Sequence, residues 1–327
     1  MQLSAPPWQS KPVVSWTVPG RKRDRGITVR PRGGLGNQLF IYAAGRNLAV
    51  NHDVPLFIDP VWFRGQTKRV FELDPLLNQS TSVRMKTPSL LLDQLTGILG
   101  HRALQLDEFV LGKRTSGFVE KSFRFDAKIG LVNPGDTVLG YFQSYKYFSS
   151  IAEIVSTEIH NSLSKYPSSL NLSNNRHPQS LPRIAVHVRR GDYQFSKESL
   201  HHGVLGLDYY RQAIQIMRQE IGDFIAVVFS DDIPSATAML DEIHNRVETV
   251  NTLSAPSAWD DLSTMCQLDG IITANSSFSW WAAWLLSAEG MPCFVPDPWF
   301  RNKELDATDL LPPGWRKVPH QWLPLAR

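Results

Sequence analysis

Residues 183–193 hold a dense group of chemically active side chains at the end of a predicted strand. An apolar, β-branched run that is typical of a buried strand leads into His187, Arg189, Arg190 and Asp192. Burying so much charge at a strand end is unfavourable unless an opposite charge meets it. The planar guanidinium of arginine can donate hydrogen bonds to two phosphate oxygens at once. Each such charge-assisted bond stabilises binding by about 1.5–3 kcal/mol where water is excluded. The stretch indicates an anion site, and an Arg–Asp ion pair that closes the strand end is the open alternative.

A second polar cluster, Asn275-Ser276-Ser277, stands immediately before a helical pattern that begins at Phe278. Hydroxyls and unpaired backbone N–H groups at a helix N-terminus form an anion cradle in outline. An ordinary serine N-cap is the structural alternative. The tryptophans of this helix are expected to bury it against a sheet rather than to stack on a ligand.

A glycine-rich loop, residues 33–38, lies between a predicted strand at 27–30 and a helix with apolar residues at 39–48. Such a loop can bring backbone N–H groups close to an anion or a sugar. A dinucleotide fingerprint would require glycine where Leu39 stands, so the loop matches that fingerprint poorly. A tight structural turn is the alternative.

The elements that must position these residues form a regular alternation in the second half of the chain. Parallel strands need crossover connections, so strands that alternate with helices predict a parallel, doubly wound sheet. The predicted strands cover 184–188, 224–229, 247–250, 270–274 and 293–295, and the predicted helices cover 208–221, 234–244, 258–267 and 277–288.

The first half of the chain also reads as α/β. It has predicted strands at 27–30, 54–58 and 137–142, a helix at 89–100, and a long helix that buries Phe148, Ile151, Val155 and Ile159. Residues 164–182 are rich in Ser, Asn and Pro, which is typical of a linker. The predicted organisation is a basic irregular extension at 1–26, an α/β domain at 27–165, a linker at 166–182 and a second α/β domain at 183–327.

Polar residues follow the predicted strands of the second half. In parallel sheets, ligands bind beyond the carboxyl ends of the strands. Those ends carry His187 to Asp192, Ser230-Asp231-Asp232, Asn251, Asn275 to Ser277, and Asp297. This segregation favours a nucleotide-type site over scattered loop polarity.

Composition excludes several classes of protein. With 327 residues, 42% apolar and 20% charged, the chain reads as globular, and a net charge of +3 does not indicate a nucleic-acid binder. Cys266 and Cys293 form no metal or disulfide pattern, and no apolar stretch approaches the roughly 18 residues of a membrane span, so we expect a cytoplasmic protein. The sequence has no Asp-x-Asp for a divalent ion, so a departing diphosphate would need arginine and helix ends, and we expect no metal.

Five segments together resemble the α-1,2-fucosyltransferases of glycosyltransferase family 11. The resemblance covers roughly residues 27–300, in the same order. The segments are Gly33-Gly34-Leu35-Gly36-Asn37-Gln38-Leu39-Phe40, Gly140-Tyr141-Phe142-Gln143-Ser144, His187-Val188-Arg189-Arg190-Gly191-Asp192-Tyr193, Phe229-Ser230-Asp231-Asp232 and Asn275-Ser276-Ser277-Phe278-Ser279-Trp280-Trp281.

The resemblance implies a GT-B-like α/β fold of two Rossmann-type domains that face each other across a cleft. It implies inverting transfer of L-fucose from GDP-β-L-fucose to the 2-hydroxyl of a terminal β-galactoside, with no cofactor and no metal. It implies a bacterial, cytoplasmic enzyme that acts on a free or lipid-linked glycan. A lipid-linked acceptor would bring the enzyme to the inner face of the cytoplasmic membrane.

The resemblance also distributes roles. Arg189 would contact the β-phosphate, and the glycine loop would place Asn37 and Gln38 near the acceptor. The predicted catalytic residues are Arg189, Asp192 and His187. The predicted donor-binding residues are Arg189, Arg190, Asp231, Asp232, Asn275, Ser276, Ser277 and Phe278, and the predicted acceptor residues are Gly34, Asn37, Gln38 and Tyr193.

The general base stays open at the level of sequence. The groups that are chemically able are His187, Asp192, Glu198, Asp59 and Asp126, of which we favour Asp192, while Arg190 is expected to brace the strand end through Asp192. Two other classes compete with a transferase. A dehydrogenase would use Asp59 on the ribose but lacks the glycine fingerprint, and a glycan-binding module would not need Arg189 beside a helix N-terminus.

Overall fold

The computed structural model describes residues 25–64, 68–77, 82–86, 117–166, 181–190, 199–244, 246–249 and 257–324. These residues form two compact units. One unit contains the described residues before Leu163 together with Thr308–Leu310, and the other contains Leu163–Ala307 together with the chain from Leu311 onward.

The N-terminal unit is built on a sheet in which every pair of neighbouring strands is parallel. The strand order is β3-β2-β1-β5-β4. The strands are β1 (Ile27–Val29), β2 (Leu56–Ile58), β3 (Val83–Met85), β4 (Gly117–Val119) and β5 (Thr137–Leu139).

Helix α1 (Leu35–His52) packs closely on this sheet. A Cβ at Gly45 would lie 2.3 Å from a Val29 methyl and 2.9 Å from a Leu56 methyl, so the absence of a side chain permits the contact. The close approach buries Leu39, Phe40, Ala43 and other apolar residues of α1 completely, as their periodicity predicts.

Two further helices of the N-terminal unit are described, and the predicted one of them is shorter than expected. A short helix α2 (Asp74–Leu77) precedes β3, and α3 (Ala152–Leu163) ends the unit. The long helix that was predicted to bury residues 148–159 begins only at Ala152. Two 3-10 turns, Tyr145–Tyr147 and Ser149–Ile151, precede it and meet at Phe148, whose φ is −141°. The four residues predicted to be buried there are buried.

The C-terminal unit has the α/β alternation that the sequence predicts. Its sheet is all parallel, with the order β11-β10-β9-β6-β7-β8. Numbered from β6, this is the Rossmann order 3-2-1-4-5-6 read from one edge. The strands are β6 (Arg183–Val188), β7 (Ile225–Ser230), β8 (Val247–Thr249), β9 (Ile271–Ile272), β10 (Cys293–Asp297) and β11 (Arg316–Pro319).

Five helices connect these strands within the described part of the unit. They are α4 (Ser199–His202), α5 (Leu207–Ile221), α6 (Ile233–Asp241), α7 (Ala258–Met265) and α8 (Ser277–Ala288). Trp280 and Trp281 are fully buried and Trp284 is 2% exposed, which confirms that this face of α8 packs into the core. Strand β11, an edge strand in which Val318 is the buried residue, was not predicted from the sequence.

The predicted α/β class is confirmed, since each unit carries an all-parallel sheet of Rossmann type, the component of a GT-B-like fold. The helix predicted at 89–100, most of the linker at 166–182 and nearly all of the extension at 1–26 lie outside the described residues. None of the helices in the described ranges is long and apolar enough to cross a membrane.

Candidate functional site

The strand order of the C-terminal unit fixes where a ligand should bind. Strands added after β6 extend the sheet through β7 and β8, whereas β9 pairs with the other side of β6. The loops that leave β6 and β9 therefore diverge, and in doubly wound sheets the crevice at such a switch point is the usual ligand site. Arg189 directly follows β6, and Ser276 lies between β9 and α8.

Arg189 and Ser276 meet at this switch point. The Arg189 guanidinium donates from Nη1 to Ser276 Oγ over 3.2 Å, although the two residues are 87 positions apart. Ser276 is 3% exposed and is the N-cap of α8, where its hydroxyl accepts from the Phe278 N–H at 3.3 Å. A guanidinium thus sits beside the positive end of a helix dipole. Two adjacent positive features of this kind favour an anion in front of them.

His187 lies near the same end of β6 and is buried and neutral. It is 8% exposed, and among the described groups none makes a hydrogen bond to its Nδ1. Burial, assisted by the Arg189 charge, lowers the pKa of His187 to about 3. Its ring contacts the Phe278 ring edge-on at 5.9 Å between centroids. With this pKa, His187 is a poor proton acceptor at neutral pH.

Arg190 and the two aspartates after β7 stabilise the strand ends. The Arg190 N–H donates to Asp231 Oδ1 at 2.8 Å, and its Nη2 lies 2.6 Å from the Met239 sulfur. Asp232 caps α6 by accepting from the Ser235 N–H, and bonds from Ser235 lower the pKa of the Asp232 carboxyl. The contact that orders Arg190 among the described residues is therefore with β7 and α6.

Asn275 supports a loop rather than presenting its amide nitrogen to a ligand. The side chain is 6% exposed, and Nδ2 donates to His202 O at 2.8 Å and Gly203 O at 3.4 Å. Ser277 is half-buried in the first turn of α8. The predicted donor cluster thus separates into Ser276, which touches Arg189, and Asn275, which holds α4 and the residues after it.

The glycine loop of the N-terminal unit is already occupied by a carboxylate of the chain. Gly34 is the N-cap of α1, and the Glu72 carboxylate accepts from the Leu35 N–H. Burial raises the pKa of Glu72, and the Arg69 charge and the Leu35 bond oppose that rise. Because this carboxylate already neutralises the helix end, the loop is poorly suited to a phosphate.

Gln38 is buried inside the loop rather than facing a ligand. It is 0% exposed, its Nε2 donates to Gly33 O and Val70 O at 3.0 and 2.9 Å, and its Oε1 accepts from the Glu72 N–H at 2.9 Å. Both ends of the amide are used by the backbone. Its neighbour Asn37 is half-exposed and accepts from Gln143 Nε2 at 2.8 Å. The structure thus assigns Gln38 to holding the loop.

Two of the proposed general bases have structural roles. Asp59, 4% exposed, accepts from Arg30 Nε at 3.0 Å and from the Val61 N–H. Asp126 caps a 3-10 turn by accepting from the Lys128 N–H. Asp192, Tyr193 and Glu198 lie outside the described residues. The described residues contain no group of three His, Cys, Asp or Glu side chains placed to hold a metal ion.

Comparison with known proteins decides the family. The profile of glycosyl transferase family 11 matches residues 128–316 of this chain, more than half of its length. The chain belongs to glycosyl transferase family 11. This family 11 protein is a glycosyltransferase, which confirms the resemblance seen in its motifs.

Individual relatives of the family 11 protein give more detail. It is 28% identical over 304 residues to the alpha-1,2-colitosyltransferase of Escherichia coli, which covers 89% of this chain and 98% of that protein. It is also 28% identical over 293 residues to the O-antigen biosynthesis glycosyltransferase WbnK of Escherichia coli, with 82% and 93% covered. The solved fucosyltransferase NodZ from Bradyrhizobium is similar at 14% identity and a TM-score of 0.45, covering 79% of this chain and 92% of that chain.

Three residues of the family 11 protein were absent from the predicted site. Gln143 stands in the Gly140 to Ser144 segment, and its pairing with Asn37 was not foreseen. Glu72 and Glu120 lie in stretches without a recognisable pattern, and their partners are 37 and about 21 positions away in the sequence. For these two carboxylates the sequence carried no signal.

Proposed function

We propose that the protein transfers L-fucose from GDP-β-L-fucose to the 2-hydroxyl of a terminal β-galactoside, with inversion at the anomeric carbon. The acceptor would be a free or lipid-linked glycan in glycan or O-antigen-type synthesis. A lipid-linked acceptor would bring the enzyme to the inner face of the cytoplasmic membrane. The family supports a glycosyl transfer of this type, and so does the similarity to a colitosyltransferase and to an O-antigen biosynthesis glycosyltransferase.

The observation that carries the proposal is the 3.2 Å contact of Arg189 with Ser276 at the switch point of the C-terminal sheet. As the bond between the sugar and the diphosphate stretches, negative charge grows on the leaving phosphate. A guanidinium and a helix N-terminus that are already in position stabilise this charge without reorganisation. In this proposal they neutralise the diphosphate in place of a divalent metal.

The proton of the attacking hydroxyl needs an acceptor. His187 would be a weak base with a pKa near 3, and Asp59 and Asp126 already accept bonds from the chain. Of the two remaining candidates, Asp192 and Glu198, we propose Asp192 as the general base, because it belongs to the same segment as Arg189. Replacement by asparagine should then abolish transfer but leave the affinity for GDP intact.

Transfer of colitose is the second candidate function. It is favoured by the similarity to an alpha-1,2-colitosyltransferase over 89% of this chain. Colitose lacks the 3-hydroxyl that fucose carries, so the two donors differ by one hydrogen-bonding group. A site built to bind that hydroxyl discriminates strongly against the donor that lacks it.

The deciding experiment has two arms. Calorimetry with GDP and with NAD, each in EDTA, should give binding to GDP and none to NAD; binding to NAD but not GDP would instead favour a dehydrogenase. Turnover of GDP-fucose and GDP-colitose is then measured with lactose and with type 1 and type 2 disaccharides. Faster transfer from GDP-fucose upholds the proposal, and faster transfer from GDP-colitose selects the second candidate. Binding of galactosides without any GDP binding would reject both.

A further inference from the structure

The N-terminal sheet has a switch point of its own. Strands β2 and β3 extend the sheet on one side of β1, and β5 and β4 pair on the other side, so the direction of the strand order reverses between β1 and β5. Asn37 lies in α1, which follows β1, and Gln143 lies four residues after β5. The hydrogen bond from Gln143 Nε2 to Asn37 Oδ1, at 2.8 Å, joins the two sides of this switch point. We call these two side chains the amide pair.

Gln143 is held rigidly. Its neighbours Phe142 and Ser144 are fully buried, and Phe142 adopts a positive φ of 51°. The Glu120 carboxylate accepts from the Tyr141 and Phe142 N–H groups, each at 2.8 Å, and so fixes the turn that precedes Gln143. A site on a fixed backbone binds a ligand with little loss of conformational entropy.

Gln143 is buried, but its amide oxygen accepts no hydrogen bond from the described residues. The residue is 8% exposed, and its Nε2 is used by Asn37. Among the described groups none donates to Gln143 Oε1, and the Asn37 Nδ2 has no described acceptor. If both amides were turned over, the same bond would form and one donor and one acceptor would again remain. A hydroxyl both donates and accepts, so the amide pair matches a sugar hydroxyl.

Several charged groups of the N-terminal unit are paired among the described residues. The Arg30 guanidinium pairs with Asp59 at 3.0 Å. The charges of Arg69 and Arg32 act on the buried carboxylates of Glu72 and Glu120, lowering pKa values that burial raises. The end of α1 is neutralised by Glu72. Paired charges of this kind, together with an amide donor and an amide acceptor that have no partner among the described residues, suit an uncharged, hydroxylated ligand better than a phosphate.

We infer that Gln143, paired with Asn37, binds hydroxyl groups of the acceptor sugar and so determines acceptor specificity. This inference rests on the proposed function, since the acceptor would be the galactoside of that reaction. It adds Gln143 to the acceptor site and assigns Gln38 to support of the loop. The acceptor class is a neutral glycan terminus.

The test compares Gln143→Ala and Asn37→Ala with the wild-type enzyme. Each variant should lower kcat/KM for the galactoside by about tenfold or more, the effect of losing one well-placed hydrogen bond. The Kd for GDP and the slow hydrolysis of donor by water should stay within about twofold of the wild type. The double variant should be little worse than either single variant, because the two amides act as a unit.

The matched control is Asn47→Ala. Asn47 lies on the same helix as Asn37, about 15 Å further along, where its amide oxygen accepts from Ser150 Oγ at 2.8 Å. Its loss should not change acceptor kinetics. An unchanged kcat/KM in a folded Gln143→Ala variant overturns the inference, and so does a parallel loss of GDP affinity.

Direct binding separates this inference from the proposed function. If the wild-type protein neither binds GDP nor transfers sugar, the proposed function fails. Saturation-transfer NMR with methyl β-galactoside then still decides the inference. Binding by the wild type that is lost in Gln143→Ala upholds it, whereas no binding by the wild type, or equal binding by both proteins, overturns it.

Discussion

The two units present rims of the same architecture with different electrostatics. In the C-terminal unit, a helix N-terminus is capped by the neutral hydroxyl of Ser276 and stands beside the Arg189 guanidinium. In the N-terminal unit, the N-terminus of α1 is covered by the Glu72 carboxylate, and the amide pair lies at the switch point. The first rim suits an anion and the second suits a neutral hydroxylated ligand.

This difference shows that a glycine loop before a helix does not define a phosphate site. The α1 N-terminus has three glycines and no phosphate-binding arrangement, because one carboxylate from a distant segment already satisfies it. The α8 N-terminus is preceded by no glycine and is the better anion site. The chemistry of a rim is set by what the tertiary structure places against the helix end.

The largest expected effect is at Arg189. Arg189→Ala should lower kcat by about 10²–10³, the usual loss when one preorganised electrostatic contact is removed. Arg189→Lys should not restore activity, because a point charge cannot form the planar fork. Arg183→Ala is the control, since Arg183 begins the same strand and pairs with Glu248 at 3.2 Å. Near-wild-type turnover of the lysine variant, in steady-state assays, would contradict the assignment.

Gly140 tests whether the turn before Gln143 must be rigid for the acceptor to bind. A Cβ there would lie 2.5 Å from Glu120 Cβ and 2.8 Å from its Oε2, so Gly140→Ala must displace Glu120. We expect a loss of about 1–3 kcal/mol in the free energy of unfolding, measured in urea, and weaker acceptor binding with unchanged GDP binding. Gly130→Ala is the control, because no atom lies within 4 Å of its Cβ. Equal stability of the two variants would refute the packing argument.

The burial of His187 beside Arg189 predicts that the stability of the protein depends on pH. The pKa of His187 in the folded state is lowered to about 3 from an ordinary value of 6.5. Below pH 6.5 the unfolded state therefore binds a proton that the native state does not bind. Stability contributed by His187 is therefore lost as the pH falls from about 6.5 towards 3, by up to about 2 kcal/mol at pH 5. The free energy of unfolding of His187→Gln should therefore fall less between pH 7 and pH 5 than that of the wild type, as measured by urea denaturation.

His244 provides the comparison for that measurement. Burial lowers its pKa as well, so His244→Gln should also flatten the acid-induced loss of stability. Only His187 lies beside Arg189, and only its replacement should alter the affinity for GDP. A pH profile for His187→Gln that equals the wild-type profile would show that the imidazole is protonated in the native state.

Two serine caps separate helix stability from anion binding. Ser276 caps α8 and Ser257 caps α7, where Ser257 Oγ accepts from the Asp260 N–H at 3.3 Å. Replacing either serine by alanine should destabilise the protein by about 1 kcal/mol. Calorimetry should show weaker GDP binding, by about threefold to tenfold, for Ser276→Ala alone. Equal GDP affinities in the two variants would place the anion elsewhere.

The smallest expected effect is at Glu72, whose carboxylate makes the α1 N-terminus differ from the α8 N-terminus. Glu72→Ala removes the carboxylate that covers the α1 N-terminus, which should lower stability by about 0.5–1 kcal/mol. The uncovered helix end should then bind anions, so sulfate should raise the Tm of the variant more than that of the wild type. The same sulfate effect on both proteins would mean that Glu72 does not control the charge preference of this rim.

The sequence alone determined the class of the fold and the order of its rim residues. Periodic apolar patterns report which local conformation each segment adopts, and this information identified β6 to β10, α5 to α8 and the motifs between them. It was less accurate where a polar contact from a distant residue reshapes a segment. Glu120, for example, ends β5 at Leu139 by binding the next turn.

Only the tertiary structure decided which of these residues act together. Arg189 meets Ser276 across 87 positions, and Gln143 meets Asn37 across 106. The strand order that brings each pair together depends on long-range packing, which no local period encodes. The same packing buried Gln38 and left the oxygen of Gln143 without a donor among the described residues, although both are glutamines within recognisable motifs.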